Sequence, residues 1–80
     1  MDMKTMTCQQ LGGACGKEFK GNSFEEIAEQ SKKHGMEMYQ LGDKAHIEAM
    51  GKMQDLMQKP DAMKQWFEEK RKIFDSLPSD

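Results

Sequence analysis

The chain contains no valine, and isoleucine occurs only at Ile27, Ile47 and Ile73. β-Branched residues are what a pleated, half-buried surface favours. Any sheet in this chain is therefore small, and helices must supply most of the fold. Methionine, with nine copies, replaces the branched aliphatics as apolar filler. The 80 residues suffice for one domain, 1–80, and a domain of that size buries only about 60% of the surface its unfolded chain exposes. Little material is left for a deep catalytic cavity and the shell that supports one, so a non-enzymatic protein is expected.

Helical and extended patterns divide unevenly along the chain. Lys4-Thr5-Met6-Thr7-Cys8 alternates and predicts a short strand. Gln9 to Gly16 holds Gly12, Gly13 and Gly16 and reads as a loop. Lys17-Glu18-Phe19-Lys20 reads as a second strand with Phe19 facing inward, and Gly21-Asn22 turns the chain. Such a hairpin is marginal alone and must pack on helices. Ser23 followed by Glu26 is a capping box that starts the first helix. Phe24, Ile27, Ala28, Ser31, Gly35 and Met38 share one face of it. Two stops compete, Gly35 after Lys32-Lys33-His34 and Gly42 further on; the continuing helical period over Met36–Gln40 favours Gly42. Asp43 is an N-cap for a second helix with Ile47, Met50, Met53 and Met57 as its stripe. Pro60 breaks that helix and opens a third, whose apolar face is Met63, Trp66, Phe67, Phe74 and Leu77, with Trp66 and Phe67 as packing anchors. Pro78 ends it. The fold class expected is α+β, a short N-terminal β-hairpin packed against three α-helices, with residues 3–40 forming the Cys-loop hairpin and first helix and 43–78 a helical extension.

Charge excludes some partners. Twelve basic and fourteen acidic residues give a net charge of −2, and they are mixed rather than striped, so nucleic acid is not an expected partner. Glu68-Glu69-Lys70-Arg71-Lys72 alternates in sign, as a solvated helix face does. No apolar run approaches the ~20 residues of a membrane span, and Met1-Asp2-Met3-Lys4 lacks the apolar core of an export signal. A cytoplasmic protein with reduced thiols is expected.

Cys8 and Cys15 bracket the glycine loop. A hairpin can bring their sulfurs together, as a shared metal ion or a disulfide requires, but their spacing is wider than the usual zinc-binding pattern, and on spacing alone two ordinary buried thiols fit it best, ahead of a metal and then a disulfide. His34 lies at the edge of the first helix's stripe, where it can face the hairpin. His46 reads as a buried, hydrogen-bonded structural histidine. Met36 and Met38 flank Glu37 beside His34, and Met1, Met3 and Met6 lead up to Cys8; thioethers with thiolates suit Cu(I), although methionine at helical spacing is usually core. A Met- and aromatic-rich helix face would also suit a protein partner or a second copy of the chain. Phosphate-binding, dinucleotide-binding and HExxH patterns are absent, and nothing orients a Cys–His34 nucleophilic pair.

The segments Met3-Lys4-Thr5-Met6-Thr7-Cys8, Leu11-Gly12-Gly13-Ala14-Cys15, Ser23-Phe24-Glu25-Glu26 and His34-Gly35-Met36 together resemble the domain of unknown function 1059 family, described as predicted small metal-binding proteins. The resemblance covers residues 3–40 and implies Cys8, Cys15 and His34 as metal ligands. Many members carry another histidine about one turn earlier on the helix, where this chain has Gln30 and Ser31. The resemblance thus leaves the fourth position to His46, an acid or water. It implies a small metal-binding accessory protein, with zinc the metal expected; Cu(I), suggested by the methionines, comes second. A metal-free helical interaction protein and a thiol redox protein using Cys8 and Cys15 remain as alternatives.

Overall fold

The computed structural model describes residues 3–79. Strands β1 (Lys4–Thr7) and β2 (Glu18–Gly21) are followed by helices α1 (Phe24–Gln40), α2 (Lys44–Met57) and α3 (Pro60–Ser76), the α+β arrangement expected. The strands pair antiparallel with Met6 opposite Phe19. Both of these side chains are buried, while Lys20 and Glu18 stay in solvent, so the alternation aims one face of the hairpin at the helices. β1 stops one residue short of the expected Cys8, but the Cys8 N–H still donates to the Lys17 carbonyl at 2.8 Å. Within the loop, Gln9–Leu11 forms a single 3-10 turn that buries Leu11.

The Ser23 hydroxyl accepts from the Glu26 N–H at 3.2 Å, half of the capping box. The Glu26 carboxylate reaches back one residue further than the motif requires and accepts from the Asn22 N–H at 3.0 Å. α1 passes through Gly35 and ends at the later stop. There Gly42 takes a left-handed φ of +76°, its N–H donates to Tyr39 O at 3.0 Å, and the Asp43 N–H donates to Met38 O at 3.1 Å. This pair of bonds is a Schellman motif, which satisfies carbonyls that the helix end would otherwise orphan. Asp43 then caps α2, so no slack separates the two helices.

Two expected apolar faces are corrected. On α2, Ile47 is 39% and Met57 60% exposed, whereas His46 is buried and Ala49, Met50, Met53 and Leu56 are half-buried. The inward stripe is thus rotated by about one residue from the one read off the hydrophobic pattern. On α3, the buried anchor is Phe74; Trp66 is half-buried and Phe67 is exposed. Phe24 meets both Phe67 and Phe74 edge-on, with ring centroids 6.2 Å apart in each pair. The Lys4 ammonium donates to the carbonyls of Phe74 at 3.0 Å and Asp75 at 3.1 Å and lies 4.9 Å from the Phe74 ring centroid. A cation on the last carbonyls of a helix is favourable, and this one fastens the last helix to the first strand.

The core comprises Met6, Cys8, Leu11, Phe19, Phe24, Ile27 and Phe74. Among the described residues, no helix is long and apolar enough to cross a membrane. Phe74→Ala should cost about 3–5 kcal/mol, the usual range for emptying a buried aromatic site, and should unfold much of a domain with so thin a margin. Phe67→Ala should cost clearly less. Urea unfolding of the two variants checks this order, and equal losses would contradict the burial difference.

Candidate metal centre

Cys8 follows directly on β1, and three backbone bonds fix it. Its N–H donates to Lys17 O, and its carbonyl accepts from the N–H groups of Leu11 at 3.1 Å and Gly13 at 2.8 Å. The loop can fold this tightly only because Gly12 adopts a left-handed φ of +89° and because Gly13 has no side chain. A Cβ on Gly13 would lie 2.1 Å from Cys8 Sγ and 2.9 Å from Cys8 O, well inside any permitted contact. The Gln9 N–H donates to Cys15 O at 3.0 Å, which draws the far end of the loop back alongside Cys8. Both cysteines are free thiols, Cys8 buried and Cys15 half-buried.

The helices bring the histidines. His34 lies two helical turns beyond Ile27 on the buried face of α1. Its Nε2 is 3.3 Å from Cys15 Sγ, and its ring packs 5.6 Å from that of Phe19. His46 is in the first turn of α2, and its Nε2 is 3.6 Å from Cys8 Sγ. The two imidazoles meet edge-on with centroids 5.2 Å apart. One ligand atom from each of Cys8, Cys15, His34 and His46 lies within 4.8 Å of all the others. The expected trio is therefore together, and His46 joins it. The expectation of a buried, hydrogen-bonded His46 holds as well, because Asp43 Oδ1 accepts from its Nδ1–H at 2.8 Å and from its backbone N–H at 3.0 Å. Bonded in that way, a neutral His46 turns an Nε2 lone pair toward the sulfurs.

Each pair of like groups is split electrostatically. Burial pushes the Cys8 thiol up, against the N–H groups of Cys15 and Ala14 that favour its thiolate. Cys15 is pulled down, chiefly by the Lys17 N–H. Burial lowers His34, helped by the neighbouring His46 and Lys17 charges. His46 is raised because its bond to the Asp43 carboxylate outweighs burial, and the same bond holds Asp43 below the usual carboxylate range.

This donor set fits a tetrahedral ion. Zn–S bonds of ~2.3 Å and Zn–N bonds of ~2.1 Å imply S···N edges of about 3.6 Å, close to the two S···N distances of 3.3 and 3.6 Å. A ligand histidine usually gives its other ring N–H to a carboxylate or carbonyl, and Asp43 takes that part for His46. Gln30, at the position where the resemblance implies a histidine, instead donates to Lys20 O at 2.6 Å and braces the hairpin. Of the methionines weighed as soft ligands, Met6 is a fully buried core residue and Met36 is 54% exposed; Met1 lies outside the described residues. The sequence signal for His46 was available in Asp43-Lys44-Ala45-His46, an N-cap carboxylate three residues ahead of a histidine, which puts acid and ring on the same turn.

Compared with protein-family models, curated proteins and solved structures, the chain matches none, so the geometry of the four side chains is what a functional reading must rest on. Gly13→Ala tests that geometry directly. It should drive the Cys8 sulfur away from the cluster and destabilise the fold, whereas Gly16→Ala, with nothing within 4 Å of the added carbon, should be close to neutral. Thermal melts of the two variants distinguish these outcomes.

Proposed function

We propose that the protein is a small, non-enzymatic zinc-binding protein that holds one ion through Cys8, Cys15, His34 and His46. The observation that carries this reading is the convergence of two sulfurs and two imidazole nitrogens to within 4.8 Å of one another. Thiolate and imidazole together are the ligand types that structural zinc sites use, and four protein ligands complete the tetrahedron. Catalytic zinc keeps a position open for water or substrate, so a full set supports a binding or structural role over a hydrolytic one. The resemblance to the domain of unknown function 1059 family points to the same kind of protein, with His46 standing in for the missing histidine near Gln30. Bound there, the ion would tie the Cys loop to α1 and α2. A structural metal is a common staple in domains whose core is small, and reduced thiols are maintained in a compartment such as the cytoplasm.

Metal analysis of untagged protein, purified without chelator under reducing conditions, should find one zinc per chain. Because the ion binds only the folded chain, free zinc at a hundredfold excess over the dissociation constant should stabilise it by about 2.7 kcal/mol. Cys8→Ser, His34→Ala and His46→Ala should each abolish or sharply reduce that gain in thermal melts, and Gln30→His should leave it unchanged. If neither zinc nor copper raises the melting temperature of the wild type, the proposal fails.

Two further measurements probe the surroundings of the ion. Thiols must lose protons to bind, so zinc affinity should fall as pH is lowered and binding should release protons; calorimetry in buffers of different ionisation enthalpy reads this. Asp43→Ser keeps a good helix cap but is too short to reach the His46 ring. It should weaken zinc binding by about 10–100-fold, the usual effect of removing such a supporting group, in a competition titration with a chromogenic chelator.

A further inference from the structure

The three helices do not close fully on one another. Between them and the Cys8–Cys15 loop lies a cavity of about 470 Å³, within the ~300–1,000 Å³ range of small-molecule sites. Its walls come from α1, α2, α3 and the loop, so it is a concave groove whose rim, at Met36, Met57 and Phe67, is open to solvent. Cys8 and His46 of the metal centre form part of its wall.

We infer that this cavity is a binding site for a flat, uncharged aromatic small molecule. Its lining determines that class. Met36, Met50, Met53, Met57 and Met63 all contribute to it, with Trp66 and Phe67. Thioether sulfurs are polarizable, adapt to irregular shapes and make favourable contacts with aromatic rings. Apart from Cys8 and His46 of the metal centre, the charged residues of the wall are Glu29 and Lys32, opposite in sign and three positions apart on α1. They cancel, and so favour neither an anion nor a cation. A glycine also keeps the space open. Gly35 lies in the interior of α1, on the cavity wall, where glycine destabilises a helix relative to alanine; a Cβ built on it would meet nothing within 4 Å. Close packing does not require that glycine, while an occupant needing room beside α1 would.

Trp66 is the only tryptophan of the chain and lines the cavity, so its fluorescence reports occupancy. Naphthalene is titrated into the protein in reducing buffer containing zinc, with tryptophan emission, thermal midpoint and solution mass followed together. The expected result is a saturable emission change at one naphthalene per chain, a raised midpoint and an unchanged mass. Naphthalene-1-sulfonate should bind more weakly. Gly35→Leu, which fills the cavity and improves helix propensity, should melt no lower than wild type and lose the response; Ala49→Leu does the same from α2 should Gly35→Leu not fold. The inference is overturned if the emission change does not saturate, if the cavity-filling variant binds naphthalene as well as wild type, or if the sulfonate binds equally. A solution mass that doubles as the signal develops would overturn it too, by assigning the cavity to a second copy of the chain.

Discussion

Asp43 accepts two hydrogen bonds from the same residue, from the His46 amide at 3.0 Å and from the His46 ring at 2.8 Å. The first bond begins α2 and the second orients a candidate ligand. The Asp43 N–H, donating to Met38 O, completes the turn that ends α1. One residue therefore closes one helix, opens the next and aims an imidazole at the thiols. Had the corner between α1 and α2 been longer by even a residue or two, its helices could rotate independently, and His34 and His46 would have no fixed relation. The Cys loop is held by the β1–β2 ladder, and α1 docks on that hairpin directly, with His34 against Phe19 and Gln30 on Lys20 O; the corner then fixes where His46 stands relative to His34.

Within the cluster, each chemical pair has a member buried toward neutrality and a member supported from outside. Cys8 and His34 are pushed to their uncharged forms by burial. Cys15 and His46 are drawn toward their charged forms by the Lys17 N–H and the Asp43 carboxylate. Two thiolates, or two imidazolium cations, held this close would repel each other. Splitting the pairs lets the folded chain keep the cluster buried through short thiol–imidazole contacts, and leaves thiolate and imidazole donors that an ion can take over by displacing protons.

Much of this fold is legible in the sequence, and the exceptions have a common cause. The hairpin, the capped start of α1 and its stop at Gly42 follow from turn and capping chemistry, which is local and depends on backbone geometry that Gly42, Ser23 and Asp43 supply themselves. The phase of α2 is not local. Ile47 outranks His46 on any hydrophobicity scale, so a stripe drawn by apolar character places Ile47 inside; the chain does the opposite because His46 has partners for both ring nitrogens, which offset the cost of burying it. Similarly, Trp66 and Phe67 outweigh Phe74 in combined size, but Phe74 is the residue that Lys4 and Phe24 enclose. The need for glycine at position 13 is likewise invisible until Cys8 Sγ is seen to occupy the space of its missing side chain. Cys8, Cys15 and His34 could be nominated from the resemblance; His46 could be named only as one candidate for the fourth position, until the structure set its ring beside Cys8.

The two ends of α3 explain why the domain remains open in its middle. Its C-terminal turn is fixed by Lys4 on the Phe74 and Asp75 carbonyls and by the edge-on contact of Phe74 with Phe24. Its N-terminal turn is fixed by the short link from α2 at Lys59-Pro60. Neither contact requires the central turns around Met63 and Trp66 to reach α1, and the side chains there are flexible methionines rather than the stiff branched residues that the chain lacks. Stiff branched side chains pack into a defined interior, whereas methionine accepts a range of spacings without a large energetic difference. The absence of valine thus has two consequences. It confines the sheet to one hairpin, and it leaves the helical half with a wall that can adapt to what enters it, next to a cluster whose four donors are held to a few ångströms.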